Sequence, residues 1–405
     1  MQLEILNEPI IFKSDAHEKK LDAYKKFHNL YAADWIKLDY LTEDYLKDIK
    51  KTACEIRKNF DALLVIGIGG SFIGAKAFID ALGSDFPIYF AGNNLDSSNI
   101  NNILNTLRDK NYAINVISKS GTTLETKLVF DIFYDDLIKR GTSVKDSIYI
   151  TSSKGSLLHK FADENQMKSF IIPDDIGGRY SVFTAVGLLA MAVAGLNIEN
   201  IASGIRRGKK DFFDFDIKDI DDNEAMSYAY YRHLAAENYA LEFISVYEEK
   251  FNTFTQWIKQ LLCESLAKSG KGLIVSNLIY TQDLHSMGQL LQEGRRNIIE
   301  THIYANSVSN IEIQKTYASN DICKNKRTLK EINETAFKAT VKAHHEGRVP
   351  TCVIKLKELN EENLARLAML YMSMCVYNAA LDEVSPYGQP GVEVYKENIK
   401  NILKE

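Results

Sequence analysis

The sequence has little proline and little cysteine: six prolines and five cysteines in 405 residues. So few prolines exclude a proline-rich linker between domains. The cysteines are odd in number and widely spaced, and none forms a CxxC pair, which argues against a disulfide framework and a cysteine-type zinc site. A reducing compartment suits this pattern best. The five positions are Cys54, Cys263, Cys323, Cys352 and Cys375.

Neither sign of charge dominates the sequence. Lysine and arginine number 49 and aspartate and glutamate 54, giving a net charge of -5, with both signs spread along the chain. This distribution argues against a nucleic-acid partner or an anionic membrane surface, which would favour a basic patch. The first residues lack the basic and apolar regions of a signal peptide. The longest apolar stretch, 182–196, is shorter than the about 20 residues that span a bilayer and predicts a buried helix. We therefore expect a soluble cytoplasmic protein.

Strands alternate with helices along most of the chain, which predicts an α/β fold with parallel sheets covered by helices on both faces. The predicted strands cover 61–68, 87–91, 112–117, 147–151 and 170–172, and later 272–279, 298–305 and 351–356. The predicted helices include 72–82, 123–140, 223–240, 253–268 and 361–380. The charged stretch 204–222 is the expected boundary between two halves. The predicted division is an N-terminal helical arm (1–50), a first α/β domain (51–203), a second α/β domain (204–380) and a C-terminal arm (381–405).

Two turns between a strand and a helix have the composition of a phosphate site. The first, GIGGS at 67–71, offers backbone N–H groups at a helix N-terminus, which favours an anion. Phe72 stands where a dinucleotide fingerprint needs its third glycine, and a P-loop spacing is absent. A generic glycine bend is the alternative interpretation of this first turn.

The second turn, SKSGTT at 118–123, places four hydroxyls and one lysine at the next helix N-terminus, and all can contact phosphate oxygens. Helix capping is the alternative explanation, although a cap needs one hydroxyl and this turn has four. In a parallel sheet, both turns lie at the carboxyl edge of the strands, where ligands bind.

Four further segments, together with these turns, resemble the glucose-6-phosphate isomerase family. They are GGRYSVF at 177–183, QLLCES at 260–265, DLHSMGQ at 283–289 and QPGVEVYK at 389–396. All occur in the family's order, and the length is closer to its shorter bacterial forms. The resemblance implies two sugar-isomerase domains, each a mainly parallel sheet flanked by helices. It also implies the interconversion of glucose 6-phosphate and fructose 6-phosphate.

The resemblance also implies the roles of individual residues. Glu264 is the expected base, Arg179 stabilises the intermediate, and His285 with Lys396 opens the sugar ring. No metal and no cofactor is expected, and the partners are a sugar phosphate and a second copy of the chain, which donates His285 across a homodimer interface. The expected substrate-binding residues are Gly70, Ser71, Ser118, Lys119, Ser120, Thr123, Gln260 and Gln389.

The residue types suit this chemistry. Histidine titrates near neutrality and can act as acid or base in ring opening. Glu264 lies four residues after Gln260 on a predicted helix, beside an apolar face, where partial burial of a carboxylate suits it to proton abstraction. Arg179 stays protonated, and its planar guanidinium group can donate hydrogen bonds to a developing negative charge.

Three other functions are alternatives to the interconversion of glucose 6-phosphate and fructose 6-phosphate. A regulator that binds sugar phosphates without catalysis is disfavoured because Glu264, His285 and Lys396 are all present. A nicotinamide-dependent dehydrogenase is disfavoured by Phe72. A dual glucose/mannose 6-phosphate isomerase remains an alternative, although such forms are generally shorter. The run His344-His345-Glu346 is not predicted to bind a metal, because adjacent histidines point apart on a helix and HExxH spacing is absent.

Overall fold

The computed structural model describes residues 1–6, 10, 12–30, 33–306, 309–313 and 328–403. Cys323 and residues 404–405 of the predicted C-terminal arm lie outside these ranges. Within them, the strands are β1 (Gln2–Leu6), β2 (Ala62–Ile66), β3 (Ile88–Ala91), β4 (Tyr112–Ile117), β5 (Ile148–Ser152), β6 (Lys168–Ile171), β7 (Leu241–Val246), β8 (Ile274–Ile279), β9 (Ile298–Ala305) and β10 (Thr351–Leu356).

The helices are α1 (Ala16–Leu30), α2 (Asp34–Lys37), α3 (Glu43–Asn59), α4 (Ile73–Leu82), α5 (Ser97–Leu107), α6 (Leu124–Lys139), α7 (Val144–Ser147), α8 (Leu157–Glu164), α9 (Ala185–Val193), α10 (Ile198–Phe212), α11 (Glu224–Ala235), α12 (Asn252–Leu266), α13 (Gly288–Glu293), α14 (Leu329–Glu346), α15 (Glu361–Leu381) and α16 (Glu393–Ile402).

Two five-stranded sheets organise the fold. The first is parallel throughout, in the order β3-β2-β4-β5-β6, and its central strands are buried on both faces. The second has the order β1-β10-β9-β7-β8, in which β1 pairs antiparallel with β10 and the other neighbours are parallel. The predicted α/β class with mainly parallel sheets is confirmed. Parallel strands bring their carboxyl ends to one edge of a sheet, so the turns after β2, β4 and β5 lie together.

A long buried helix, α15, lies in the core of the molecule. It packs against α10, α11, α1 and α12. Gly204 and Gly208 of α10 allow this close approach, because a Cβ at Gly204 would lie 2.2 Å from the carbonyl oxygen of Glu362. Helix α15 has the length and apolar composition of a membrane span, but 94% of that stretch is buried within the fold, as expected of a core helix.

Several elements differ from the sequence predictions. Strands β1 and β7 were not predicted. Glu242 and Ser245 interrupt the apolar pattern of β7, and Glu242 is buried because Arg232 pairs with it at 2.7 Å. The charged stretch that begins at Gly204 continues helix α10 to Phe212. The N-terminal 50 residues contain β1 as well as helices. The division of the chain into domains at residues 50, 203 and 380 stays a prediction.

Candidate active site

The turn after β2 lies against the segment that carries Arg179. Gly69–Ser71 forms one turn of 3-10 helix, and Gly69 adopts a left-handed φ of +57° that favours glycine. A Cβ on Gly70 would lie 2.1 Å from the carbonyl oxygen of Gly178. Gly70 is therefore required by the close approach of two backbones.

The turn after β4 forms one wall of a cleft of about 560 Å³. The Ser118 hydroxyl accepts from Gly121 N at 3.1 Å, and Ser120 Oγ lies 2.7 Å from Thr122 Oγ1. Thr123 is the N-cap of α6, yet its side chain makes no capping hydrogen bond. Capping therefore does not account for Thr123. Five predicted binding residues line this cleft, namely Ser71, Ser118, Lys119, Ser120 and Thr123.

The turn after β5 also lines this cleft and was not predicted from the sequence. Ser153, Lys154 and Ser156 line it, and the signal was a second lysine set among serines directly after a buried strand. The buried hydroxyls Ser153 Oγ and Thr126 Oγ1 have no hydrogen-bond partner among the described residues. Unpartnered buried donors are costly, so they favour a ligand that accepts hydrogen bonds.

Lys119 lines the cleft and is bonded to the backbone of another segment. Its Nζ donates to the carbonyl oxygen of Asp174 and, at 3.3 Å, to that of Ile176. The two lysines are the charged residues among the described residues that line the cleft. The cleft is thus cationic and rich in hydroxyls, which suits an anion.

Glu264 lies at the centre of a second cluster of polar side chains. Arg179 Nη1 donates to Glu264 Oε2 at 3.0 Å, and Gln389 Nε2 donates to the same oxygen at 2.7 Å. Gln260, one turn earlier on α12, contacts Glu264 Oε1 at 3.3 Å. The carboxylate side chain is 30% exposed, whereas Arg179 is buried at 5%. The predicted placement of Gln260 and Glu264 on one helix, four residues apart, is confirmed by their contact.

The loop that carries Gln389 is held by two cations. Arg179 Nη2 donates to the carbonyl oxygens of Pro386 and Gly388 at 3.0 and 3.2 Å. Lys268 Nζ donates to those of Ser385 and, at 2.9 Å, Tyr387. Burial, together with the neighbouring Arg179 charge, lowers the pKa of Lys268. Lys268 was not predicted from the sequence, because its partners lie more than a hundred residues away.

The cleft and the carboxylate cluster meet at Gly69–Ser71. Ser71 lines the cleft. Gly70 touches Gly178, next to Arg179, and a Cβ on Gly69 would lie 2.8 Å from Gln260 Nε2. The segment Gly69–Ser71 therefore lies between the cleft and the cluster around Glu264.

The two residues expected to open the sugar ring make no hydrogen bond or ion pair with Glu264 among the described residues. His285 is exposed after β8 and makes no hydrogen bond or ion pair to a site residue within the described ranges. Lys396 lies on the exposed helix α16, where its Nζ donates to Glu393 Oε1 at 2.7 Å. That contact chiefly raises the pKa of Lys396, and the charge of Glu264 adds to the rise.

The sequence and fold match known proteins over most of the chain. The family model for phosphoglucose isomerase matches residues 44–405. A glucose-6-phosphate isomerase of Fusobacterium nucleatum is 39% identical over 404 residues, covering 94% of this chain and 89% of that protein. A hypothetical protein from Thermus thermophilus superposes with a TM-score of 0.90 at 23% identity, covering both chains fully. A glucose-6-phosphate isomerase from Chlamydia trachomatis has a TM-score of 0.77 at 20% identity, covering all of this chain and 81% of that one.

Proposed function

Because this chain belongs to the phosphoglucose isomerase family, we propose that it interconverts glucose 6-phosphate and fructose 6-phosphate. The chain is an aldose–ketose isomerase. The observation that carries our assignment of residues is the joint placement of an anion cleft and the Glu264 carboxylate on either side of Gly69–Ser71.

The sugar phosphate is held by its non-reacting end. Hydroxyls of Ser118, Ser120 and Thr123 and the first amides of α6 donate to phosphate oxygens, and Lys119 supplies positive charge. The unpartnered hydroxyls of Thr126 and Ser153 support two further contacts. Anchoring the phosphate here directs the sugar carbons toward Glu264.

Glu264 carries the proton between the two carbons. It takes the proton from the carbon beside the aldehyde of the open-chain sugar, which leaves an enediolate. The protonated Glu264 then returns the proton to the neighbouring carbon, while the hydroxyl proton moves between the two oxygens. Arg179 stays charged beside the carboxylate and stabilises the enediolate oxygen. Gln260 and Gln389 orient Glu264 and contact substrate hydroxyls.

Ring opening needs an acid at the ring oxygen and a base at the ring hydroxyl, and we assign it to His285 and Lys396. The exposed position of His285 supports its donation to the active site of a second subunit. The functional unit in this proposal is a homodimer that acts in the cytoplasm, in glycolysis and gluconeogenesis.

Substitution of the proposed base tests the assignment. Glu264→Gln removes the proton acceptor and keeps the side-chain shape, so kcat falls by about 10²–10⁴, the usual contribution of a general base. A coupled dehydrogenase assay with fructose 6-phosphate measures turnover, and thermal shift measures retained binding. The matched control is Glu293→Gln, an exposed glutamate bonded to Gln289. Near-normal turnover in the first variant with loss in the second would move the base to Glu293.

A mixed dimer tests the donation of His285. Glu264→Gln and His285→Asn subunits are each inactive alone, and are unfolded together and refolded. If His285 acts across the interface, each mixed dimer has one intact site, and activity recovers to about a quarter of the wild-type value. If His285 acts within its own subunit, the mixture stays inactive. Mannose 6-phosphate, supplied to the wild type, tests the dual-specificity alternative.

A further inference from the structure

A buried cluster of one glutamate and two histidines lies in the second sheet, apart from the site described above. Glu300 and His302 are two residues apart on β9, so their side chains lie on one face of the strand. His344 reaches them from the last turn of α14. All three are at most 3% exposed. One ligand atom from each lies within 4.8 Å of the other two.

The carboxylate of Glu300 already has several hydrogen-bond partners. Its Oε1 accepts from the hydroxyls of Ser245, at 2.5 Å, and Tyr280, at 2.6 Å. Its Oε2 lies 2.6 Å from His344 Nδ1. Oε2 is therefore the oxygen that faces both histidines and could bind an ion together with them.

His302 is the unexplained member of the cluster. Its side chain is fully buried, and neither ring nitrogen has a hydrogen-bond partner among the described residues. Nε2 lies 3.2 Å from Glu300 Oε2, but not in the orientation of a hydrogen bond. Proteins rarely bury an imidazole without a partner, because its hydration is lost without replacement. An ion beside Glu300 Oε2 would supply the missing partner.

We propose that Glu300, His302 and His344 bind a divalent transition-metal ion, with Zn²⁺ the best match. Two imidazoles and one carboxylate form a donor set that suits zinc and leaves a position for a fourth ligand. The set was hidden in the sequence, because the partners of His344 come from β9 and not from the adjacent His345 and Glu346.

The ion has a structural role, since it joins β9 to α14. Tyr280, whose hydroxyl contacts the same carboxylate, directly follows β8 in the segment that leads to His285. A charge-balanced pair of Glu300 and His344, with His302 merely packed beside it, is the arrangement that requires no metal. The two cases differ in whether the protein takes up zinc.

Metal content and stability distinguish a zinc site from a metal-free Glu300–His344 pair. The full-length protein is unfolded with a chelator and refolded with or without ZnCl₂. Thermal unfolding is measured with the free ZnCl₂ present, and elemental analysis follows desalting. We expect one zinc per chain and a rise in Tm of about 3 °C at a hundredfold excess over the dissociation constant. Cobalt in place of zinc should give the visible absorption of a site with nitrogen and oxygen ligands.

Two variants and one control locate the ion. His302→Phe keeps an aromatic ring among Tyr247, Tyr280 and Phe337 but removes the ligand, and His344→Gln removes another. Both should lose the stoichiometric zinc and the rise in Tm, whereas His345→Gln should keep both. Absence of zinc uptake by the wild type overturns the proposal. Equal uptake by wild type and His302→Phe also overturns it, because the ion would then bind elsewhere.

Discussion

Gly70 contacts Gly178 between the phosphate cleft and the Glu264 cluster. This contact predicts that a methyl group added at Gly70 would push the cleft and the cluster apart. In Gly70→Ala, the new Cβ would lie 2.1 Å from the Gly178 carbonyl oxygen, whereas real contacts of this kind start at 3.0–3.4 Å. The two backbones must therefore part by about 1 Å, because the atoms that clash are not on a flexible side chain.

A displacement of about 1 Å in a catalytic geometry costs about 10² in rate, which corresponds to about 2.7 kcal/mol of barrier. Overpacking of this kind also lowers the free energy of unfolding by about 1–3 kcal/mol. We therefore expect Gly70→Ala to stay folded, with kcat/KM for fructose 6-phosphate reduced about a hundredfold. The coupled isomerase assay and thermal unfolding measure the two effects.

Gly177→Ala is the matched control for this variant. Gly177 lies one residue from the contact, has an extended backbone (φ −73°, ψ 158°), and has open space where a Cβ would lie. This variant should keep wild-type activity and stability. If Gly70→Ala kept full kcat/KM, the close approach would not align the phosphate with Glu264, and the spatial argument for a shared site would be refuted.

Two lysine variants test the periphery of the site. Lys119→Ala should raise KM about tenfold with a smaller change in kcat, because the lysine acts on the non-reacting phosphate. Steady-state kinetics and inhibition by inorganic phosphate measure this, and the exposed Lys127→Ala on α6 should change neither. Lys268→Met should lower kcat about tenfold with little change in phosphate inhibition, because it frees the loop that carries Gln389. The exposed Lys259→Met on α12 is its control, and equal kinetics in the two variants would contradict a positioning role.

The parts of the fold that could be predicted are those whose signal is local. Strands β4, β9 and β10 have the predicted bounds. Runs of apolar residues indicated these three strands. Single polar residues within them, such as Asn115 and Thr301, did not hide the apolar pattern. Strand β7 was missed because Glu242 resembles a surface residue. Its burial depends on Arg232 of α11 and Thr301 of β9, and neither contact can be inferred from the strand itself.

The same distinction applies to the active site. The spacing of four residues on α12 was sufficient to place Gln260 beside Glu264, because a helix fixes such neighbours. The contacts of Glu264 with Arg179 and Gln389 follow from the fold of distant segments, and only the family resemblance assigned these residues to one site. Lys268 had neither kind of signal, because a lysine that donates to backbone carbonyls leaves no pattern in the sequence of its partners. Residues that position a catalytic group through backbone contacts are therefore the class that motif reasoning misses, and a structure is needed to find them.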